Sequence, residues 1–201
     1  MKCEAPKHPR RSLRIPGYDY SEVGPYFVTI CTKYQKHMFG KIIGDEMQLN
    51  DMGQVVVQEW ITTAQLRPYV QLDEFVVMPN HFHGIIAIIG GECRGTARRA
   101  PTAFGKPTAG SLPTIVGAFK SAVTKRINEL HCSPGGIVWQ RGYYEHIIRD
   151  EKSLDRTREN IIYNPLSWSL DRENPDRQGE DQFDQWLASF KSRPEQRKEL
   201  E

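Results

Sequence analysis

The stretch that most constrains this chain runs from Phe75 to Ile89, Phe-Val-Val-Met-Pro-Asn-His-Phe-His-Gly-Ile-Ile-Ala-Ile-Ile. Two apolar, β-branched runs flank a Met-Pro-Asn-His break, the pattern of two strands meeting at a tight turn, with Pro79 and Asn80 as turn residues. Side chains alternate faces along a strand, so His81 and His83 project to one side while Phe82 goes to the other. Two imidazoles on one side of a hydrophobic hairpin can hold a divalent metal with their rings fixed by packing. They can equally be two polar residues near a turn on a solvated sheet edge, and the spacing alone does not choose.

At 201 residues the chain is long enough for one domain with a real core. Its formal charge is only +2, but unevenly spread, with an acidic excess after residue 170 and a basic body before it. That distribution is compatible with nucleic-acid binding. Cys3, Cys31, Cys93 and Cys132 form no Cys-X-X-Cys pair, which argues against zinc ribbons and redox motifs. With no secretory signal and no apolar run of membrane-spanning length, the expectation is a cytoplasmic protein with reduced thiols.

Three segments are expected: a basic arm over 1–17, a folded domain over 18–170, and a charged, mostly disordered tail over 171–201. A first strand is expected over Tyr26–Thr32. Asn50 or Asp51 caps a helix that carries Val55, Val56 and Trp60 inward and ends before Pro68. The central hairpin follows. Residues 90–111 form a long loop rich in Gly, Ala, Thr and Pro, with Arg94, Arg98, Arg99 and Lys106 as candidate phosphate contacts. Ser111 opens a helix with Ile115, Val116, Phe119, Val123 and Ile127 on one stripe. Lys120, Lys125 and Arg126 lie off that stripe, either as a solvated face or as part of a DNA-binding groove. A fourth strand is expected over 144–149, then a last helix opened by residues 150–153 and stopped by Pro165. A short apolar patch, Phe183, Trp186, Leu187 and Phe190, is expected to make one weak helix in the tail.

The order strand, helix, strand, strand, helix, strand, helix is that of an α+β domain with a ferredoxin-like antiparallel sheet, helices on one face and an extra C-terminal helix. Five segments in that order, Tyr26–Thr32, Val77–Gly84, Ser121–Lys125, Trp139–Arg149 and Asn164–Trp168, resemble the single-tyrosine HUH transposases, particularly the branch of REP-associated tyrosine transposases. The resemblance implies a homodimer that binds single-stranded or hairpin DNA. It implies that His81 and His83 hold Mg2+ or Mn2+, with Asn164 completing the metal site. It implies cleavage and rejoining of strands through a 5′-phosphotyrosine made by a tyrosine on the last helix.

This chain departs from the pattern at the nucleophile. Asn160 stands four residues before Asn164, where the family places its tyrosine, and an amide cannot attack phosphate. Tyr163 is the tyrosine of that helix and hence the candidate nucleophile, displaced by about 4 to 5 Å along the axis. Two readings follow: a DNA transposase and single-strand endonuclease using Tyr163, or a catalytically inactive DNA-binding relative.

Overall fold

The computed structural model describes residues 15, 17–90, 109–179 and 181–191. The candidate phosphate contacts Arg94, Arg98, Arg99 and Lys106, and most of the basic arm, lie outside the described residues. In chain order the elements are β1 (Gly24–Cys31), β2 (Gly40–Ile43), β3 (Glu46–Leu49), α1 (Asp51–Gln65), β4 (Val70–Val77), β5 (His81–Ile88), α2 (Leu112–Leu130), β6 (Tyr144–Ile147), α3 (Glu151–Tyr163) and α4 (Gln182–Lys191).

Four strands form an antiparallel sheet in the order β4-β5-β1-β6, which with α1 and α2 makes a ferredoxin-like α+β fold. The expected hairpin is β4–β5, closed by the Met78 N–H donating to the His81 carbonyl at 2.8 Å. A second, two-stranded sheet, β2–β3, was not expected from the sequence. Its signal was present: Gly44 and Asp45 both have positive φ, 56° and 64°, the two-residue turn that matches strand twist.

The helix ends follow from local chemistry. Asn50 accepts the Gly53 N–H at 3.0 Å and Asp150 accepts the Ser153 N–H at 2.7 Å, each satisfying an otherwise orphaned amide of α1 and α3. Ser111 occupies the cap position of α2 as expected, but its hydroxyl bonds the Thr114 hydroxyl at 3.1 Å, and Pro113 sits in the first turn, where a missing N–H costs little.

One face of the sheet carries the main core. Val28, Ile30, Phe82 and Ile86 pack there against Val56 and Trp60 of α1 and Phe119 and Val123 of α2. Trp60, Phe82 and Phe119 form an aromatic triangle with centroids 4.7 to 5.4 Å apart.

The opposite face is covered by the last two helices, Ile161 of α3 and Phe183 and Leu187 of α4 packing on Phe27 and Ile85. The extra C-terminal helix therefore lies on the face that α1 and α2 leave open. Arg158 pins α3 to β4 through two-pronged bonds to Asp73, the shortest 2.6 Å, beside a register shift between Leu72 and Phe75. Beyond α3 a run of turns from Ser167 to Asn174 returns the chain to the sheet, and α4 forms over the apolar patch where one weak helix is expected. Burial of Phe183 and Leu187, two residues of that patch, anchors this otherwise polar stretch.

Candidate metal centre

Register places the site. β1 and β5 pair so that Phe27 faces Ile85, Thr29 faces His83 and Cys31 faces His81. Paired residues share a face, so both histidines stand on the α3–α4 side, away from the Trp60 core. Both are buried.

Each imidazole is oriented by a neighbour. His81 Nδ1 lies 2.9 Å from Asn80 Oδ1, and the Asn80 amide nitrogen donates to the Glu173 carbonyl at 2.7 Å. With its amide group so committed, Asn80 presents only an oxygen to His81, which places the imidazole proton on Nδ1 and a bare lone pair on Nε2. His81 Nε2 is buried without a hydrogen-bond partner among the described residues. His83 Nδ1 shares a 2.9 Å bond with the Thr29 hydroxyl, leaving its Nε2 for the same space. This is the outer-shell arrangement typical of metal-binding histidines, one ring nitrogen fixed by the protein and the other free.

Burial depresses the pKa of His81, against the pull of Asp171 toward the charged form. Burial, then His81 and Arg172, push His83 well below the ordinary range. In both rings burial favours the neutral form, the one that ligates metal.

The third donor is Asp171. Its Oδ2 lies 3.7 Å from His81 Nε2 and 4.0 Å from His83 Nε2, and the three ligand atoms fall within 4.8 Å of one another. Asn164 donates from its amide nitrogen to Asp171 Oδ2 at 3.0 Å, while its own Oδ1 is buried without a partner among the described residues. The other Asp171 oxygen accepts the Glu173 N–H at 2.6 Å. Two imidazole nitrogens and a carboxylate converge, with the Asn164 amide hydrogen-bonded to the carboxylate and its oxygen left unpaired among the described residues. That donor set fits a divalent cation, and it is the mixed nitrogen–oxygen kind that suits Mn2+ better than Mg2+.

His83, Asn164 and Asp171, but not His81, also line a cavity of about 10 Å³ with Asn160, Arg172, Phe183 and Asp184, close to the room one water or bare ion needs. Burial raises the Asp184 carboxyl. Burial alone would raise Glu173 too, but Arg172, the Cys31 thiol and Gln35 hold it below the ordinary value. Trp168 lies across His81 with ring centroids 6.0 Å apart and planes 28° from parallel.

Of the residues proposed for the site, His81, His83 and Asn164 each lie against Asp171. The structure does not bring Tyr163 with them. Tyr163 ends α3 with 58% of its surface exposed, whereas Asn160 borders the cavity with its Oδ1 unpartnered among the described residues. Three residues advance about 300° around a helix, and here the missing 60° separates wall from solvent.

The α2 cations also diverge. Lys120 donates to the Gln140 and Gly142 carbonyls at 2.7 and 2.6 Å, and Arg126 bonds Glu59 at 2.7 Å on α1. Lys125 is exposed. Asp171, the residue the sequence reading missed, sits in a charged run beyond Pro165, and its only local signal is the turn-forming Asn-Pro-Leu-Ser-Trp-Ser-Leu segment that carries it back.

A protein from Haemophilus influenzae (strain ATCC 51907 / DSM 11121 / KW20 / Rd), itself uncharacterised, is 44% identical over 178 residues, covering 85% of this chain and 96% of the relative. The chain belongs to that protein's family. No family model matches it. Among solved structures, a REP-associated tyrosine transposase bound to a REP hairpin aligns at 18% identity over 79% of this chain and 74% of its own, with a TM-score of 0.49. A Deinococcus radiodurans R1 protein, provisionally assigned as a transposase, aligns at 17% identity over 77% and 98%, with a TM-score of 0.39. Likenesses of that degree carry no argument about the site, which rests on the geometry of the family member described here. Among its described residues, no helix is long and apolar enough to cross a membrane.

Proposed function

We propose that this protein is a transposase-type, metal-dependent binder of single-stranded or hairpin DNA that lacks a helix-borne tyrosine at its metal centre. The observation that carries the proposal is the convergence of His81 Nε2, His83 Nε2 and Asp171 Oδ2 on one buried point, in a sequence whose five motif segments resemble the HUH transposases. His81, His83, Asp171 and the Asn164 oxygen would hold Mg2+ or Mn2+. A cation bound there supplies Lewis-acid polarisation of a phosphoryl oxygen.

The chain's own residues do the rest. Asn80 and Thr29 fix the two rings, Asn164 aims the Asp171 carboxylate, and Asn160 offers a neutral amide beside the space a DNA phosphate would approach. An amide can hydrogen-bond a phosphate oxygen but cannot displace an alkoxide, so the reading is strand binding without a covalent protein–DNA link. Entry of a strand requires Phe183 to part from Phe27, since α4 covers this side of the cavity. Homodimerisation is part of the same proposal, and light scattering of the purified chain tests it.

The deciding experiment mixes the full chain, Mn2+ and single-stranded DNA from the flanks of its own gene. It reads binding by anisotropy and covalent adducts on a denaturing gel. Metal-dependent binding with no adduct is the expected result. An adduct abolished by Tyr163→Phe would instead establish the second reading, a transposase with a displaced nucleophile. Absence of both binding and metal uptake would overturn the proposal.

A further inference from the structure

A second feature lies on the other side of the β1 end. Between α2 and the segment leading into β6 runs an open cleft of about 570 Å³, within the range of small-molecule and nucleotide sites. Lys120 and Lys125 line it from the helix, Ile137, Trp139 and Arg141 from the facing segment. Three cations border it and, among the described residues, no aspartate or glutamate lines it. Lys125 is 75% exposed, and its contact with Glu129, 3.9 Å away and also exposed, is of the kind that contributes little.

Lys120 spends two of its three N–H donors on the Gln140 and Gly142 carbonyls, which fixes a cation at the cleft with one donor left. Burial lowers its pKa to about 8, so it remains mostly charged at neutral pH. Ile137 is 65% exposed among the described residues and forms an apolar wall. Trp139 is buried, and its indole N–H has no partner among the described residues.

Topology ties this cleft to the metal centre. The Gln140 N–H donates to the Cys31 carbonyl at 2.9 Å, and Cys31 pairs with His81. Gln140 is thus two strand spacings, about 10 Å, from the His81 backbone.

The geometry points to this cleft as a nucleotide subsite: Lys125 and Arg141 hold phosphates of a single DNA strand while an unpaired base lies against Ile137, above the buried Trp139. The inference rests on the proposed single-strand binding and adds where the strand continues beyond the metal. Charge complementarity selects the polyanion, and the apolar wall selects an unpaired base over a closed duplex.

The test uses the full-length chain with Mn2+ and a fluorescein-labelled oligo-dT strand, beside a duplex of equal length. The Lys125→Ala/Arg141→Ala variant is expected to bind the strand on the order of tenfold more weakly, with a logarithmic salt dependence shallower by about 1.4 for two lost phosphate contacts. Its calorimetric Mn2+ uptake should match wild type, because neither residue approaches His81 or His83. In a nitrogen–proton spectrum the Trp139 indole signal, assigned by Trp139→Phe, should move when unlabelled strand is added, while Trp60 stays. Unchanged affinity and salt slope in the double variant, with wild type still binding, would overturn the subsite and leave the proposed function standing. Equal binding of the duplex would overturn the unpaired-base contact, and wild type that binds no strand would overturn the function itself.

Discussion

His81 Nε2 and Asp171 Oδ2 face each other across 3.7 Å in a buried space, two acceptors with no proton between them. Left so, the desolvation of His81 Nε2 goes uncompensated, while Asp171 keeps its bonds to Asn164 and Glu173; a cation between them converts the pair into a binding site. Metal should therefore stabilise the fold by mass action, by about 2.7 kcal/mol at a free concentration one hundred times the dissociation constant. Differential scanning calorimetry with and without Mn2+ reads this as a rise in Tm. His81→Ala should abolish the rise, and Mn2+ should raise Tm at lower concentration than Mg2+.

Asn160 and Tyr163 make opposite predictions about chemistry. Tyr163→Phe should leave DNA binding and the absence of adduct unchanged, because that phenol stands in solvent. Asn160→Tyr places a phenol at the cavity wall and should yield a metal-dependent covalent adduct on a denaturing gel, with an overpacking cost of about 1 to 3 kcal/mol in a urea melt. No adduct from Asn160→Tyr in a variant that still folds and binds Mn2+ would refute this geometric account.

Acid should destabilise the metal-free protein before its carboxylates titrate. Burial, aided by Arg149, lowers the His146 pKa to about 4, and burial also lowers His81 and His83. Between such a folded value and the ordinary 6.5, the unfolded chain binds more protons, so stability is full above pH 6.5 and falls as pH falls through that window. For His146 alone the loss is on the order of 1 kcal/mol between pH 7.5 and 5.5. Urea midpoints at those two pH values, repeated with His146→Gln, isolate the contribution as the part of the difference that the variant lacks.

Gly84 closes the His-Phe-His-Gly run for a packing reason. A Cβ there would lie 2.8 Å from the end of the Phe82 ring and 2.9 Å from the Trp60 ring. Gly84→Ala should lower stability by about 1 to 3 kcal/mol. Calorimetric Mn2+ uptake should persist, because the strain falls on the α1–α2 face and not on the face of the histidines.

The Arg158–Asp73 pair, partly exposed, should be worth about 1 kcal/mol or less despite its two-pronged geometry. A double-mutant cycle of Arg158→Met and Asp73→Ala measures that coupling, and a value above about 2 kcal/mol would show that the pair is better shielded than its exposure indicates.

Much of the fold was written in local pattern. The apolar runs around Pro79 and Asn80 specified the β4–β5 hairpin, strand alternation put His81 and His83 on one face, and Asn50 and Asp150 marked helix starts through bonds that span three residues. The β2–β3 hairpin was equally local, its turn carried by Gly44 and Asp45, but its strands of four residues each are too short for alternation to stand out.

What the sequence by itself determined is thus the order of the elements other than β2 and β3, and the pairing of the histidines, because both depend on neighbours within a turn or a strand. Only the tertiary structure decided which carboxylate joins them, which side of α3 reaches the cavity, and which cations remain outside. Asp171 reaches His81 across ninety residues of chain through a series of turns that has no periodicity. Arg126 is taken by Glu59 on another helix, and Asn160 faces inward while Tyr163 does not because Ile161 is the residue that α3 buries on the sheet. Such choices are made by packing between distant segments, and local pattern carries no record of them.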